Sequence, residues 1–357
     1  MQKQLNIYLF IASMEKGGAQ TVAFNLYKEL SRYYNIKFVV YNKNKIDYEI
    51  KENDIVEFNI LQGTTNTFQK ILSIRSFLRR NNTNDVIISF MGNMNLLVSI
   101  ASIALVNKPN IILTEHTIFT KGNGISLKLK NYLRAILYKP HPIVVVSKGL
   151  EKSFRELVSD RLNLQTIYNP INSSLIKELS QEKIEEDNFF LFVGRLEKVK
   201  NVDKIINAYK SLNKNIKKEH KLLIVGNGSQ KETLVKLASN ENNIIFKGNQ
   251  SNPYKYMKNA KVFVLMSQWE GFGLVLVEAL ISETNYIVSS DCDYGPREIL
   301  TNHGVGILIE NSERKLKEKL EEIVLKDIRC SQSEAEKVLK KFNNKNTIDK
   351  YRNLIEN

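Results

Sequence analysis

Two groups of residues in the second half of the chain have the chemistry and spacing to hold a phosphorylated ligand. In the first, the apolar run Phe189–Val193 ends at Gly194-Arg195, and Lys200 follows just before a helical pattern opens near Asn201. An arginine fork and a lysine point charge beside a helix start suit a diphosphate, because the cations and the free helix N–H groups act on the same oxygens. The same spacing also fits two solvated basic residues on the approach to a helix. In the second group, Trp269-Glu270-Gly271-Phe272-Gly273 opens onto Leu274-Val275-Leu276-Val277-Glu278-Ala279-Leu280. Gly271 and Gly273 let the backbone come close to a ligand, and the helix beginning there directs N–H groups toward it. Glu278 lies among apolar residues, where a carboxylate is costly unless it is paired or functional. Two vicinal hydroxyls are its natural ligand, since one carboxylate accepts from both. A backbone cap or a lysine partner is the structural alternative.

Weaker signals lie at other turns. Gly17-Gly18 separates a first strand from a first helix without the full G-x-G-x-x-G pattern, so a nicotinamide fingerprint is not supported. Gly226-Asn227-Gly228 is either a ligand contact or a plain turn with Ser229 as helix cap. Of the histidines at 116, 141, 220 and 303, His116 in Thr114-Glu115-His116-Thr117 stands directly after a strand. The two cysteines, Cys292 and Cys330, have no metal-ligand spacing and read as reduced thiols.

The elements that carry these residues alternate between strand and helix, the pattern of a parallel sheet covered by helices. Strands are predicted at Leu5–Ala12, Ile36–Tyr41, Ile55–Leu61, Val86–Phe90, Ile111–Thr114 and Ile143–Val146. Helices are predicted at Thr21–Tyr33 and Phe68–Arg80, with Met94–Val106 apolar almost all round and so buried on both sides. The pattern restarts with strands at Phe189–Val193, Lys221–Val225, Ile244–Phe246, Val262–Met266, Tyr286–Ser289 and Gly306–Ile309. Helices there fit Val202–Leu212, Lys231–Ala238, Leu274–Ile281 and Glu313–Val324, and a last one about Thr347–Ile355. Asn169-Pro170 and the polar stretch to about Asn188 read as a linker. The division is therefore 1–168, linker 169–188, and 189–344, with a doubly wound α/β sheet in each half. In such sheets ligands bind at the carboxyl ends of the strands, so a cleft between the two is the expected site.

The chain of 357 residues is 43% hydrophobic and 25% charged, which excludes disorder as its main state. Its net charge of +14 favours an anionic partner: a nucleic acid, a membrane surface or a phosphorylated small molecule. Residues 1–180 carry +10 of it and residues 181–357 carry +4. Ser126–Lys139 is basic, aromatic and apolar, with no acid between Lys121 and Lys139. It fits a membrane-surface helix facing anionic headgroups and equally a helix packed on a sheet with solvated lysines. No helix-turn-helix, RNP or zinc pattern supports nucleic acid. The apolar run Ile7–Ala12 is too short for a signal peptide, and Leu96–Val106 falls short of the ~20 residues that span a bilayer. The expectation is a cytoplasmic protein, peripheral on the inner face of the membrane if it meets one.

Together, Gly17-Gly18, Gly194-Arg195, Lys200, Gly226-Asn227-Gly228 and Glu270 with Glu278 eight positions on resemble glycosyltransferase family 4. The order matches over nearly the whole chain, and the E-x7-E pair around Gly-Phe-Gly is its most specific part. The resemblance implies retaining, nucleotide-sugar-dependent chemistry on the GT-B fold: α/β, two doubly wound Rossmann-like domains facing a central cleft. It implies acceptor binding by the first domain, with a final helix about 345–357 packing back on it, and donor binding by the second. Arg195 and Lys200 would hold the donor diphosphate, Glu270 would face the donor sugar, and Glu278 would bind the ribose hydroxyls. Amides of Phe272, Gly273 and Leu274 would cap the diphosphate, with Gly194, Gly226 and Gln250 as further donor contacts. Gly17 and Gly18 would close over the phosphates, and His116 matches an active-site histidine near the reacting carbon. The implied reaction moves a hexose or N-acetylhexosamine from a UDP-linked donor to a saccharide acceptor. That acceptor would be lipid-linked, in lipopolysaccharide, O-antigen or other surface polysaccharide synthesis. A small soluble acceptor, or a sugar-nucleotide epimerase of the same fold, is the alternative. No metal or other cofactor is implied; Asp291-Cys292-Asp293 has the outline of an Asp-x-Asp clamp but reads as a polar strand end.

Overall fold

Apolar runs of four to six residues, mostly buried, form the central strands of two separate parallel sheets. The computed structural model describes residues 5–15, 17–41, 46–57, 66–117, 125–292, 294–300 and 304–356. These fall into two units, one of Met1–Ile171 with Phe342–Asn357 and one of Asn172–Lys341.

The first unit holds β1 (Asn6–Phe10), β2 (Asn35–Val40), β3 (Ile55–Glu57), β4 (Val86–Phe90), β5 (Asn110–Glu115), β6 (Ile143–Val145) and β7 (Leu164–Thr166). They lie in the order β3-β2-β1-β4-β5-β6-β7, all parallel. Its helices are α1 (Gly18–Leu30), α2 (Thr67–Arg80), α3 (Gly92–Ala101), α4 (Ile125–Tyr138) and α5 (Lys148–Leu157). The second unit begins with α6 (Ser173–Ser180) and contains β8 (Phe189–Val193), β9 (Lys221–Val225), β10 (Ile244–Gly248), β11 (Val262–Leu265), β12 (Ile287–Ser290) and β13 (Gly306–Ile309). Their order is β10-β9-β8-β11-β12-β13, again all parallel. Covering helices are α7 (Val202–Lys210), α8 (Lys214–Glu219), α9 (Lys231–Ala238), α10 (Tyr254–Asn259), α11 (Leu274–Ile281), α12 (Gly295–Ile299), α13 (Glu313–Leu325) and α14 (Gln332–Lys340). The chain ends in α15 (Asn344–Glu356), whose Ile348, Tyr351 and Ile355 join the core around Ile7, Leu26 and Phe38 in the first unit.

In both sheets the winding reverses beside the first strand, between β1 and β4 and between β8 and β11. Loops that leave neighbouring strands on opposite faces open a crevice there, the usual ligand position of a doubly wound sheet. Gly17-Gly18 follows β1, and the groups around Arg195 and Glu270 follow β8 and β11.

Three local expectations change. The stretch read as a linker contains α6, which buries Ile176 and Ser180 and packs against α10 and α11. Its Asn172 side chain accepts from Leu175 N and so starts a helix that composition hides. The helix predicted to Val106 stops at Ala101: Ser102 Oγ turns back to donate to the Ser99 carbonyl, and Ile103 and Val106 are exposed. Ser229 does not cap the next helix, because its hydroxyl and N–H both donate to Glu197 and Gln230 takes the cap position. The residues predicted as strand beyond Glu57, and Asp293 and His303, lie outside the described residues.

Candidate active site

The loops after β8 and β9 interlock through glycine. Gly226 has φ +138°, and a Cβ there would sit 1.9 Å from the Gly194 carbonyl oxygen; one on Gly228 would sit 2.5 Å from that of Leu196. Side chains are therefore excluded, and backbone pairs with backbone: Gly194 N donates to Val225 O, Leu196 N to Asn227 O and Gly226 N to Gly248 O. This close approach fixes the level at which Arg195 leaves the sheet. Its guanidinium is exposed and has Glu197 as charged neighbour. Gln250 follows β10 and donates from Nε2 to the Lys247 carbonyl at 2.8 Å.

A 3-10 turn, Lys198–Lys200, carries the chain from Arg195 toward the β11 loop and ends at Asn201 in the left-handed region, φ 47°. The Asn201 amide donates to the Met266 carbonyl at 2.9 Å, and Gln268 N donates to Val199 O at 2.8 Å, tying the two loops. Lys200 Nζ is thereby brought 2.5 Å from Glu270 Oε1, which also accepts from Ser267 Oγ at 2.6 Å. Ser267 and Asn201 were not singled out from sequence. Their signal is only that both stand beside an element boundary and carry short polar side chains able to bond a loop. On the far side, a Cβ on Gly295 would sit 1.7 Å from the Phe272 carbonyl oxygen, and Glu270 bridges to Tyr294. The Gly271-Phe272-Gly273 turn is so held from both sides, with Phe272 buried and Gly273 at φ +82° as the residue before α11.

Glu278 stands in the second turn of α11, beside buried Leu276, Val277, Ala279 and Leu280. Among the described residues no hydrogen bond or ion pair engages its carboxylate. Burial pushes its pKa up to about 7. Among the described residues neither the backbone cap nor the lysine partner that the sequence left open engages it.

The other residues that the sequence predicts for a site, Gly17, Gly18 and His116, lie in the first unit. Gly17 precedes α1 in extended conformation, its carbonyl accepting from Thr21 N and Oγ1, and Gly18 opens the helix with nothing within 4 Å of where a Cβ would be. His116 follows β5, its ring stacked on Phe90 at 5.7 Å between centroids and its Nε2 3.2 Å from Thr114 Oγ1. Burial lowers its pKa to about 4, so the imidazole is neutral near pH 7. The adjacent Glu115, fully buried, accepts from Asn95 Nδ2 at 2.9 Å and from the Tyr138 hydroxyl at 2.8 Å. Alternation along the strand sends these two neighbours to opposite faces. Asp291 is held by Arg297 at 2.7 Å, and among the described residues no group of three or more histidine, cysteine or carboxylate side chains is placed to hold a metal ion.

An unpartnered carboxylate has a measurable cost. Between the ordinary glutamate pKa of about 4.3 and about 7, only the folded chain keeps the Glu278 proton, so its contribution to stability falls as pH rises. Above pH 7 the full cost of burying the charge remains. Glu278→Gln is therefore expected to stabilise the ligand-free protein at pH 8 by on the order of 2 kcal/mol, with the gain vanishing toward pH 4. Urea unfolding across that range measures it. Equal or lower stability of the variant at pH 8 would mean that the carboxylate has a structural partner.

Comparison with known proteins assigns the family. Residues 16–175 match Glycosyltransferase Family 4, and residues 176–344 match Glycosyl transferases group 1. The chain is 31% identical over 318 residues to N-acetylgalactosamine-N,N'-diacetylbacillosaminyl-diphospho-undecaprenol 4-alpha-N-acetylgalactosaminyltransferase of Campylobacter jejuni subsp. jejuni serotype O:2, covering 85% of each chain. It is 28% identical over 335 residues to GalNAc-alpha-(1->4)-GalNAc-alpha-(1->3)-diNAcBac-PP-undecaprenol alpha-1,4-N-acetyl-D-galactosaminyltransferase of the same organism, covering 90% of this chain and 89% of that one. Among solved structures, Anabaena Alr3699/HepE in complex with UDP superposes with a TM-score of 0.77 at 14% identity, over 99% of both chains. With two parallel-sheet units, the interlocked glycine turns and the E-x7-E pair in place, the chain belongs to glycosyltransferase family 4 and has the GT-B fold.

Proposed function

We propose that this glycosyltransferase moves an N-acetylhexosamine or hexose from a UDP-linked donor to a lipid-linked saccharide in bacterial surface-glycan synthesis, with retention of configuration. The observation that carries the donor side is the unpartnered carboxylate of Glu278, one helix turn beyond a loop that already holds a lysine–glutamate pair. Ribose hydroxyls donate to Glu278 and supply the partner that the protein withholds. Arg195, Lys200 and the N–H groups at the start of α11 take the diphosphate and stabilise the charge that grows on it as the sugar–phosphate bond breaks. Glu270 orients Lys200 and faces the sugar, while the backbone at Gly194, Gly226, Phe272, Gly273 and Leu274, with Gln250, shapes the rest of the donor site. No carboxylate nucleophile is invoked: cleavage and attack by the acceptor hydroxyl occur on one face of the sugar, with no metal ion.

The names of both Campylobacter relatives specify acceptors on diphospho-undecaprenol, and this supports a lipid-linked acceptor here. N-acetylgalactosamine is for the same reason the first sugar to test. Incubation with UDP-N-acetylgalactosamine and a short saccharide on diphospho-undecaprenol, with and without EDTA, should give a lipid product with an α-linkage in both cases. A free-sugar product only, an epimerised nucleotide sugar without acceptor, or activity lost to EDTA and restored by a divalent ion would each contradict this reading.

The first unit carries a matching surface. On α4, Leu129, Tyr132, Leu133 and Ile136 form one exposed stripe at helical spacing, beside exposed Lys128, Lys130 and Lys139. On α2, exposed Phe68 and Leu72 lie on a helix ending in Arg79 and Arg80, and α2 and α4 both pack on α3. No helix among the described residues is long and apolar enough to cross a membrane. An apolar stripe rimmed by cations suits the boundary of an anionic leaflet, entered from the side. The protein should sediment with phosphatidylglycerol vesicles at low salt and less at high salt. Replacing Lys128, Lys130 and Lys139 by Glu should reduce binding at least tenfold, at roughly 1 kcal/mol per charge. Equal partition into neutral and anionic vesicles, or none at low salt, would argue against it.

A further inference from the structure

Three groups stand in line at the carboxyl end of β5. Thr114, fully buried, places Oγ1 2.8 Å from the Ser89 carbonyl oxygen on the neighbouring β4 and 3.2 Å from His116 Nε2. A threonine hydroxyl has one hydrogen to give and lone pairs with which to accept. The Ser89 carbonyl can only accept, so the Thr114 hydrogen is committed to it. Toward His116, Thr114 can then only accept, and the hydrogen in that contact belongs to Nε2. The backbone cannot easily swing to another arrangement. The Thr114 carbonyl accepts from Asn95 Nδ2 at 2.9 Å and from Met91 N at 3.2 Å. Phe90 stacks on the His116 ring with 20° between the planes.

We propose that Thr114 is a positioning residue: it fixes His116 as the Nε2–H tautomer and leaves Nδ1 as the nitrogen that accepts a hydrogen bond from a substrate hydroxyl. The functional half rests on the reading above that His116 belongs to the site. Burial keeps the ring neutral near pH 7, so Nδ1 presents a lone pair and not a second N–H. Among the described residues nothing donates to Nδ1. His116 then acts as an acceptor that orients a hydroxyl, and it does not supply a proton to the departing phosphate.

The test starts with the unaltered protein. Ring nitrogens are read by NMR on histidine labelled with 15N, with the His116 signals assigned by their loss in His116→Ala. The expected spectrum near pH 7 has a pyrrole-type Nε2 and a pyridine-type Nδ1 for His116. Thr114→Ser, which keeps the hydroxyl, should preserve that pattern and hold kcat/KM within about twofold. Thr114→Val should move both signals toward the average of two tautomers and lower kcat/KM by about tenfold, the effect of one hydrogen bond. A pyridine-type Nε2 in the unaltered protein, or an unchanged tautomer in a folded Thr114→Val, overturns the proposal. The assigned tautomer together with full transfer activity in both Thr114→Val and His116→Ala would instead overturn the functional reading of His116 and leave the hydrogen-bond assignment standing.

Discussion

Charge held against apolar surroundings, with its partner left to the ligand, is the constraint on which the second unit's architecture turns. Strands such as Phe189–Val193 and Val262–Leu265 are buried along nearly their whole length and offer nothing for an ionised group. At the candidate site the charged side chains therefore stand in the loops at the strand ends, as Arg195, Lys200 and Glu270 do, and at one position, Glu278, inside an apolar helix. A carboxylate there is unfavourable unless its ionised form is hydrogen-bonded. Donating hydroxyls would turn a site of local instability into a site of binding, and binding and stability would then draw on the same interaction from opposite sides.

Rigidity around that position comes from backbone meeting backbone. Gly226 admits the Gly194 carbonyl, and Gly295 admits that of Phe272, so four loops from different strands are packed in two pairs at distances that any side chain would prevent. The Lys200–Glu270 pair lies between these contacts and is nearly satisfied in the ligand-free protein, with Ser267 as a further donor. A cation whose position is already set loses little side-chain freedom when a diphosphate arrives. Glu278 and Lys200 would thus meet the proposed ligand in opposite conditions: one carboxylate without a partner among the described residues, one cation with its partner in place.

Much of this was legible in the sequence because it follows from period and composition. The strands that bear the site, β8, β9, β10 and β11, were placed within two residues, and so was α11, since apolar runs between glycine turns leave few alternatives. Glu278 could be singled out because a carboxylate in Leu274–Leu280 breaks the local rule. What could not be read depended on contacts between residues distant in sequence. Asn201 with Met266, Ser267 with Glu270 and Ser229 with Glu197 are loop-to-loop bonds, and none has a periodic signature. Helix α6 was hidden for a related reason: its short, polar composition resembles a linker, and only its packing against α10 and α11 makes it part of the second unit.

If Glu278 waits for the ligand's hydroxyls, binding must release its proton. Titration calorimetry of UDP at pH 6, in two buffers of different ionisation enthalpy, counts the protons exchanged. With a pKa of about 7 in the free protein, Glu278 is mostly protonated at pH 6 and must ionise to accept two hydroxyls. Release of close to one proton more by the unaltered protein than by Glu278→Gln is expected, with much weaker binding by the variant. Equal affinity and equal proton exchange in the two proteins would contradict it.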